Sequence, residues 1–105
     1  MSLFDLFKKG KNNTEFKFNE PENTTVITCK HITENNNPIL FVTHDEDGFW
    51  QFLCGQEEHS EADAKLISLE QAVQIDNSLN DLFEMPKGYG AERKTQNENW
   101  KPFKI

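Results

Sequence analysis

Two apolar runs, residues 39–44 and 49–54, are separated by only four turn-forming residues that end in Gly48. So short a connection favours a β-hairpin, because antiparallel strands can be joined this tightly and parallel strands cannot. With a four-residue loop, Phe41 is expected opposite Phe52. Both faces of the hairpin would then be largely apolar, which predicts central strands covered on two sides.

Further elements are expected around this hairpin. The β-branched residues 24–29 predict a strand, and residues 65–68 predict a short strand that runs into a helix. Ser68 is a good N-cap for that helix, and Gln71, three residues later, completes a capping box. The helix is expected to restart at residues 76–78. Strands followed by helices predict an α+β fold: a small antiparallel sheet with a central hairpin and one or two short helices packed on it.

The 105 residues suit one domain. Apolar residues followed by lysines at the start predict an N-terminal amphipathic appendage over residues 1–20, and residues 21–105 are expected to form a single α+β domain. The tail after Ala91 is expected to be irregular, with Trp100 and Phe103 as tethers to the core.

Several features predict a cytoplasmic location. The charges at the start follow the apolar residues, which is the reverse of a secretory signal. No stretch approaches the roughly 20 apolar residues of a membrane-spanning helix, so no transmembrane segment is expected. The two cysteines agree with a reducing compartment. A monomer or weak homodimer is expected.

The net charge of −7 is concentrated in one segment, because residues 31–64 contain eight acidic residues and no Lys or Arg. A field of one sign steers an oppositely charged partner, which predicts another protein with a basic surface. It argues against a nucleic-acid partner, since phosphate backbones require Lys and Arg. A solvated acidic face is the alternative. The residues expected to contact the partner are Asp45, Glu46, Asp47, Trp50, Glu57, Glu58, Glu61 and Asp63. For Trp50, beside the turn, a ring edge exposed for binding and a position in the core are both open.

Four residues of types that bind zinc are present: Cys29, His31, Cys54 and His59. Their spacing matches none of the usual patterns, in which ligands are paired two to four residues apart. Cys54 also falls where the hairpin needs a small core residue, and unpaired Cys is among the most buried residue types. We therefore predict no metal site and no cofactor.

His44 stands beside Asp45, and a histidine next to a carboxylate is a possible general base. No nucleophile elbow, Gly-rich phosphate loop or metalloprotease helix motif accompanies it. The sequence therefore predicts a non-catalytic protein-binding module with no catalytic residues. The alternative is a small enzyme or ligand-binding domain with a site near His44.

Several short motifs carry a resemblance. They are Gly48-Phe49-Trp50-Gln51-Phe52, Ser68-Leu69, Asp76-x-Ser78-Leu79, Pro86-x-Gly88, Ala91-Glu92-Arg93 and Trp100. Through these residues the segment 38–100 resembles the bacterial domain-of-unknown-function 2185 family, which is grouped with immunity proteins of polymorphic toxin systems. The resemblance implies a cytoplasmic antidote that binds and blocks a toxin. It supplies no functional residues.

Overall fold

The structure is a computed structural model that describes residues 15–55 and 61–105, without the side chain of Glu61. The six strands are β1 (Thr25–Cys29), β2 (Phe41–His44), β3 (Trp50–Leu53), β4 (Ala64–Ser68), β5 (Tyr89–Glu92) and β6 (Lys101–Lys104). The helices within the described residues are α1 (Lys30–Thr33), α2 (Leu69–Ile75) and two 3₁₀ helices, Glu61–Asp63 and Asn77–Leu82.

These strands form one sheet in the order β4-β1-β3-β2-β5-β6. Every neighbouring pair is antiparallel except β1 and β3, which run parallel. The predicted α+β class is confirmed, since short helices pack on a mostly antiparallel sheet. β2 and β3 form the central hairpin.

The core lies between one face of this sheet and the helices. The strands contribute Val26, Val42, Trp50, Phe52 and Ala91, and the helical segments contribute Leu69, Ala72, Val73, Leu79 and Leu82. On β2 and β3, buried residues alternate with half-buried ones, as expected for strands with one fully covered face. Full burial on both faces, predicted from the apolar runs, is therefore not observed.

The hairpin register also differs from the prediction. Phe41 lies opposite Leu53 and not opposite Phe52. The cause is the turn, where the backbone N–H of Asp45 donates to the carbonyl of Phe49 at 3.0 Å. That bond extends the antiparallel pairing by one residue, so the connection has three residues instead of four.

The helical segment follows the sequence prediction closely. The hydroxyl of Ser68 accepts a hydrogen bond from the N–H of Gln71, and the Gln71 side chain accepts one from the N–H of Ser68. After α2, the carboxylate of Asp76 accepts a hydrogen bond of 3.0 Å from the N–H of Ser78. This second cap starts the 3₁₀ helix, so the predicted restart is confirmed.

The tail is more regular than predicted. β5 pairs with β2, and β6 continues the sheet beyond β5. Phe103 lies over Gly90, where a Cβ atom would be 2.5 Å from the Phe103 ring. Phe103 also packs against Phe41, with ring centroids 5.6 Å apart. Gly90 thus makes room for an aromatic pair that holds the edge strand.

A buried arginine joins the tail to the helical segment. Arg93 forms an ion pair with Asp76 and donates to the hydroxyl of Ser78 at 3.1 Å and to the carbonyl of Ile39 at 2.9 Å. Its guanidinium also lies 3.9 Å from the centre of the Trp100 ring. Four of these five residues belong to the short motifs that carry the family resemblance. Those motif residues therefore stabilise the fold.

Residues that precede the predicted domain also pack in the core. Phe18 is buried and meets the ring of Trp50 edge-on, at a centroid distance of 5.2 Å. The indole N–H of Trp50 donates to Glu20 Oε2 at 2.8 Å. Residue 18 thus contributes to the same core as the central hairpin.

The buried side chain of Asn80 makes two further contacts with this segment. It accepts a hydrogen bond of 2.9 Å from the N–H of Lys17 and donates one of 2.8 Å to the carbonyl of Glu15. Residues 15–20 therefore belong to the packed domain and not to an appendage, which moves the predicted boundary. The rest of the predicted appendage, residues 1–14, lies outside the described residues. Within 15–55 and 61–105, no helix is long and apolar enough to cross a membrane.

Candidate partner-binding site

The turn between β2 and β3, residues 45–49, is here called the acidic turn, and its backbone is held rigidly. The Asp45 carboxylate accepts hydrogen bonds of 3.0 Å from the N–H groups of both Asp47 and Phe49. The N–H of Gly48 donates to the Asp45 carbonyl at 2.9 Å, and Gly48 has a φ of 93°. This left-handed conformation suits glycine, which has no Cβ to clash.

Three side chains of the acidic turn face solvent. Glu46 and Asp47 are exposed, and Phe49 is 55% exposed. Asp45 is half-buried and its carboxylate is engaged in the turn, so it acts as a scaffold. Lys87 lies alongside, with its Nζ 3.7 Å from the position of a Cβ on Gly48. The turn therefore presents one exposed aromatic ring and two exposed acidic residues, with Lys87 alongside.

Trp50 differs from its predicted role. Its side chain is only 1% exposed, and its ring stacks on His44 at a centroid distance of 4.0 Å. The predicted exposed ring edge is therefore wrong. In the observed register Trp50 lies opposite His44, on the face that the core covers. Phe49, one residue earlier, is the exposed aromatic residue.

The predicted acidic face is divided between the two ends of the sheet. Asp63 forms an ion pair with Lys30 at 3.3 Å, and Glu34 forms one with Lys65 at 3.4 Å. Both pairs lie at the end of the sheet where β1 and β3 finish. The acidic turn lies at the other end, roughly 10 Å away along β3. Lys30 and Lys65 border the acidic segment in the sequence, and each thus neutralises an acidic residue near the segment's opposite end.

The remaining predicted contacts lie largely outside the described residues. Glu57 and Glu58 are in the part of the chain that is not described, and Glu61 is described only as the start of a 3₁₀ helix. Of the eight residues predicted to contact a partner, only Glu46 and Asp47 are thus seen exposed together, beside the half-buried Asp45. The structure adds Phe49 to them.

A groove adjoins the acidic turn. Its volume is about 540 Å³, and it begins at Tyr89, which pairs with His44 at the end of β2, and extends to Trp100. Met85 and Pro86 add apolar surface, and Asp81 and Glu84, both exposed, supply carboxylates to its lining. An aromatic groove with carboxylates at its rim suits the side chain of a Lys or Arg.

His44, the centre of the alternative site, is packed into the fold. The side chain is buried, and Nδ1 lies 2.8 Å from the carbonyl of Met85. Nε2 faces Glu20 Oε2 at 4.0 Å, while the ring face covers Trp50. Both nitrogens therefore point at acceptors of the same chain, an arrangement that fixes the imidazole between the sheet and residues 20 and 85.

Three of the four potential zinc ligands come together in space. Cys29, His31 and Cys54 have ligand atoms that all lie within 4.8 Å of one another, and Cys54 Sγ is 3.8 Å from His31 Nδ1. His59 lies outside the described residues. The spacing along the chain gave no reason to group these residues, because Cys54 lies 23 residues from His31 and is brought to it by the pairing of β1 with β3.

No family model, curated protein or solved structure matches the chain. The resemblance to the immunity-related family therefore stays a prediction.

The exposure of Phe49 was not predicted, because residues 49–54 were expected to form one apolar strand. One signal could have revealed it. An Asp followed three residues later by Gly is typical of a three-residue hairpin connection, with the Asp side chain bonded to the turn and the Gly in a left-handed conformation. Such a turn pairs Asp45 with Phe49 and shifts the alternation of side chains.

Proposed function

We propose that this chain is a non-catalytic protein-binding module, which engages a basic surface of another protein through the acidic turn and the adjoining groove. The exposed ring of Phe49 carries the proposal. Aromatic residues, Phe among them, are enriched in the buried centre of protein interfaces relative to the rest of the surface. Because the turn is already ordered by its own hydrogen bonds, little conformational entropy is lost on binding.

Charge supports a basic partner. The chain has a net charge of −7, and Glu46 and Asp47 are exposed in the same turn as Phe49. Carboxylates at the rim of an interface act mainly by accelerating encounter with an oppositely charged surface and by disfavouring wrong partners. A basic toxin is the partner class that the family resemblance implies, and such a toxin would be blocked by occupation of its surface.

The groove supplies a second contact. Tyr89 and Trp100 offer aromatic surface, and Asp81 and Glu84 offer carboxylates, so a Lys or Arg of the partner would find both attractions at once. One partner would contact the turn and the groove together, because Tyr89 in the groove pairs with His44, the residue that precedes the acidic turn. We propose no catalytic role for His44, whose ring nitrogens face Met85 and Glu20.

Capture from native lysate tests the proposal with three immobilised proteins. They are the wild type, a turn variant with Glu46→Lys and Asp47→Lys, and a control variant with Glu34→Lys and Glu92→Lys. The two variants have the same net charge, but the control substitutions lie at the opposite end of the sheet. We expect the wild type and the control to retain one protein with a basic surface that the turn variant loses. Equal capture by all three proteins would contradict the proposal.

A further inference from the structure

The side chains of Cys29, His31 and Cys54, here called the thiol–imidazole cluster, meet because of the one parallel pairing in the sheet. β1 and β3 run side by side in the same direction, with Ile27 opposite Gln51, so their carboxyl ends finish together. Cys29 ends β1 and Cys54 follows β3 directly. The chain turns into α1 after Cys29, which carries His31 back towards the same point.

The cluster is enclosed by the fold. Cys29 is 2% exposed and Cys54 is 4% exposed, while His31 is half-buried. Neither thiol is in a disulfide. Two thiols and an imidazole therefore converge at a largely buried point.

The spacing of the ligand atoms fits a tetrahedral ion. With Zn–S bonds of about 2.3 Å and Zn–N bonds of about 2.0 Å, the ligands of a tetrahedral zinc lie roughly 3.5–3.8 Å apart. The separation of 3.8 Å between Cys54 Sγ and His31 Nδ1 is close to the roughly 3.5 Å of a sulfur–nitrogen pair, and no pair in the cluster exceeds 4.8 Å. Small side-chain rotations would close the remaining difference.

The ligand chemistry selects the ion. Thiolate and imidazole ligands favour zinc over magnesium or calcium, which require oxygen ligands. Two thiolates also balance the two positive charges of zinc, so the loaded cluster would be neutral, and a neutral group is far less costly to bury than a charged one.

We propose that the thiol–imidazole cluster is a zinc-binding site, with Cys29, His31 and Cys54 as three of the ligands. The site lies at the opposite end of the sheet from the acidic turn, so it is independent of the proposed partner contact. A bound zinc would join the ends of β1 and β3 to α1. It would therefore stabilise the folded chain, because a ligand that binds the native state alone raises its stability.

Cobalt titration tests the site directly, since cobalt occupies zinc sites and is coloured. Reduced protein stripped of metal is titrated with Co²⁺ and followed by absorption, and the bound cobalt is then displaced with Zn²⁺. We expect one ion per chain, visible bands of tetrahedral cobalt and a near-ultraviolet band from thiolate ligands. Zinc should abolish these bands and raise the midpoint of thermal unfolding.

Two variants and a control locate the ligands. Cys54→Ser and His31→Gln should each weaken zinc binding by more than about 100-fold, an effect at least as large as that of losing a supporting residue around a metal. The control, Glu46→Gln with Asp47→Asn, removes carboxylates at the other end of the sheet and should bind zinc like the wild type. His31→Gln is the more informative variant, because a half-buried position tolerates substitution.

The wild-type spectrum decides the matter even if a variant fails to fold. A wild-type protein that gives no thiolate-to-cobalt band, or binds cobalt only with the octahedral spectrum of surface carboxylates, would overturn the proposal. A folded His31→Gln variant with unchanged affinity and spectrum would overturn the assignment of His31.

Discussion

Glu20 Oε2 accepts a hydrogen bond of 2.8 Å from the indole N–H of Trp50, which links residue 20 to the central strand of the sheet. Phe18 packs edge-on against the same indole. Residues that precede the predicted domain therefore pack against Trp50, a fully buried side chain.

Truncation should reveal this contribution. Deleting residues 1–20 removes the Phe18 ring and leaves the indole N–H without Glu20, whereas deleting residues 1–14 keeps both. Because loss of a buried Phe side chain costs about 3–5 kcal/mol, the longer deletion should have a free energy of unfolding lower by at least about 3 kcal/mol. Denaturant unfolding of the two truncated chains measures the difference. Equal stabilities would place residues 15–20 outside the core.

Substitutions of Trp50 and of Phe49 should distinguish an effect on stability from an effect on partner binding. Trp50→Ala should lower the free energy of unfolding by about 3–5 kcal/mol, because it empties a fully buried site. Phe49→Ala should change it by no more than about 0.5 kcal/mol, since the ring is exposed. The same Phe49 variant should dissociate faster from the captured partner. A stable Trp50→Ala protein would contradict the burial described for the indole.

The pair formed by Arg93 and Asp76 should be essential to the fold. Asp76→Ala leaves a buried guanidinium without its counter-charge and removes the cap of the 3₁₀ helix, so we expect a loss of about 3–5 kcal/mol. The matched control is Lys65→Ala, which breaks an ion pair at the surface and should cost no more than about 1 kcal/mol. Comparable losses in both variants, measured by urea unfolding, would mean that Arg93 is not held as described.

Gly90 should not tolerate a side chain. An alanine Cβ there would lie 2.5 Å from the Phe103 ring and 2.8 Å from the carbonyl of Val42, so Gly90→Ala should cost about 1–3 kcal/mol. Replacing Phe103 by Leu in the same chain should restore part of this loss and no more, because the Val42 carbonyl belongs to the backbone. Full restoration, measured by a double-mutant cycle of thermal unfolding, would show that the carbonyl is not a constraint.

The parts of the fold that depend on neighbours in the sequence could be predicted. The capping box of Ser68 and Gln71 and the restart at Asp76 are local hydrogen-bond patterns, and each is written in three or four consecutive residues. The strand before Cys29 follows from β-branched composition for the same reason. Local hydrogen bonds are therefore enough to predict these elements, although Arg93 also holds Asp76 and Ser78.

Elements that depend on distant residues could not be predicted. β6 has a lysine at each end and contains Pro102, so it has no apolar alternation, and it forms because Phe103 finds space over Gly90. The hairpin register depended on one side chain, since Asp45 closes a shorter turn than residue counting suggests. The thiol–imidazole cluster depends on a parallel strand pair, which no spacing between its residues indicates.

The association rate of the captured partner tests the central proposal most directly. Binding of the purified partner to the wild type, the turn variant and the control variant should be followed by stopped-flow at increasing salt. We expect the wild-type and control association rates to fall as salt screens the charges, because exposed charges interact over about 8 Å at physiological ionic strength. The turn variant should associate more slowly and with a weaker dependence on salt. If it associates at the wild-type rate with the same salt dependence, the acidic turn is not the binding surface.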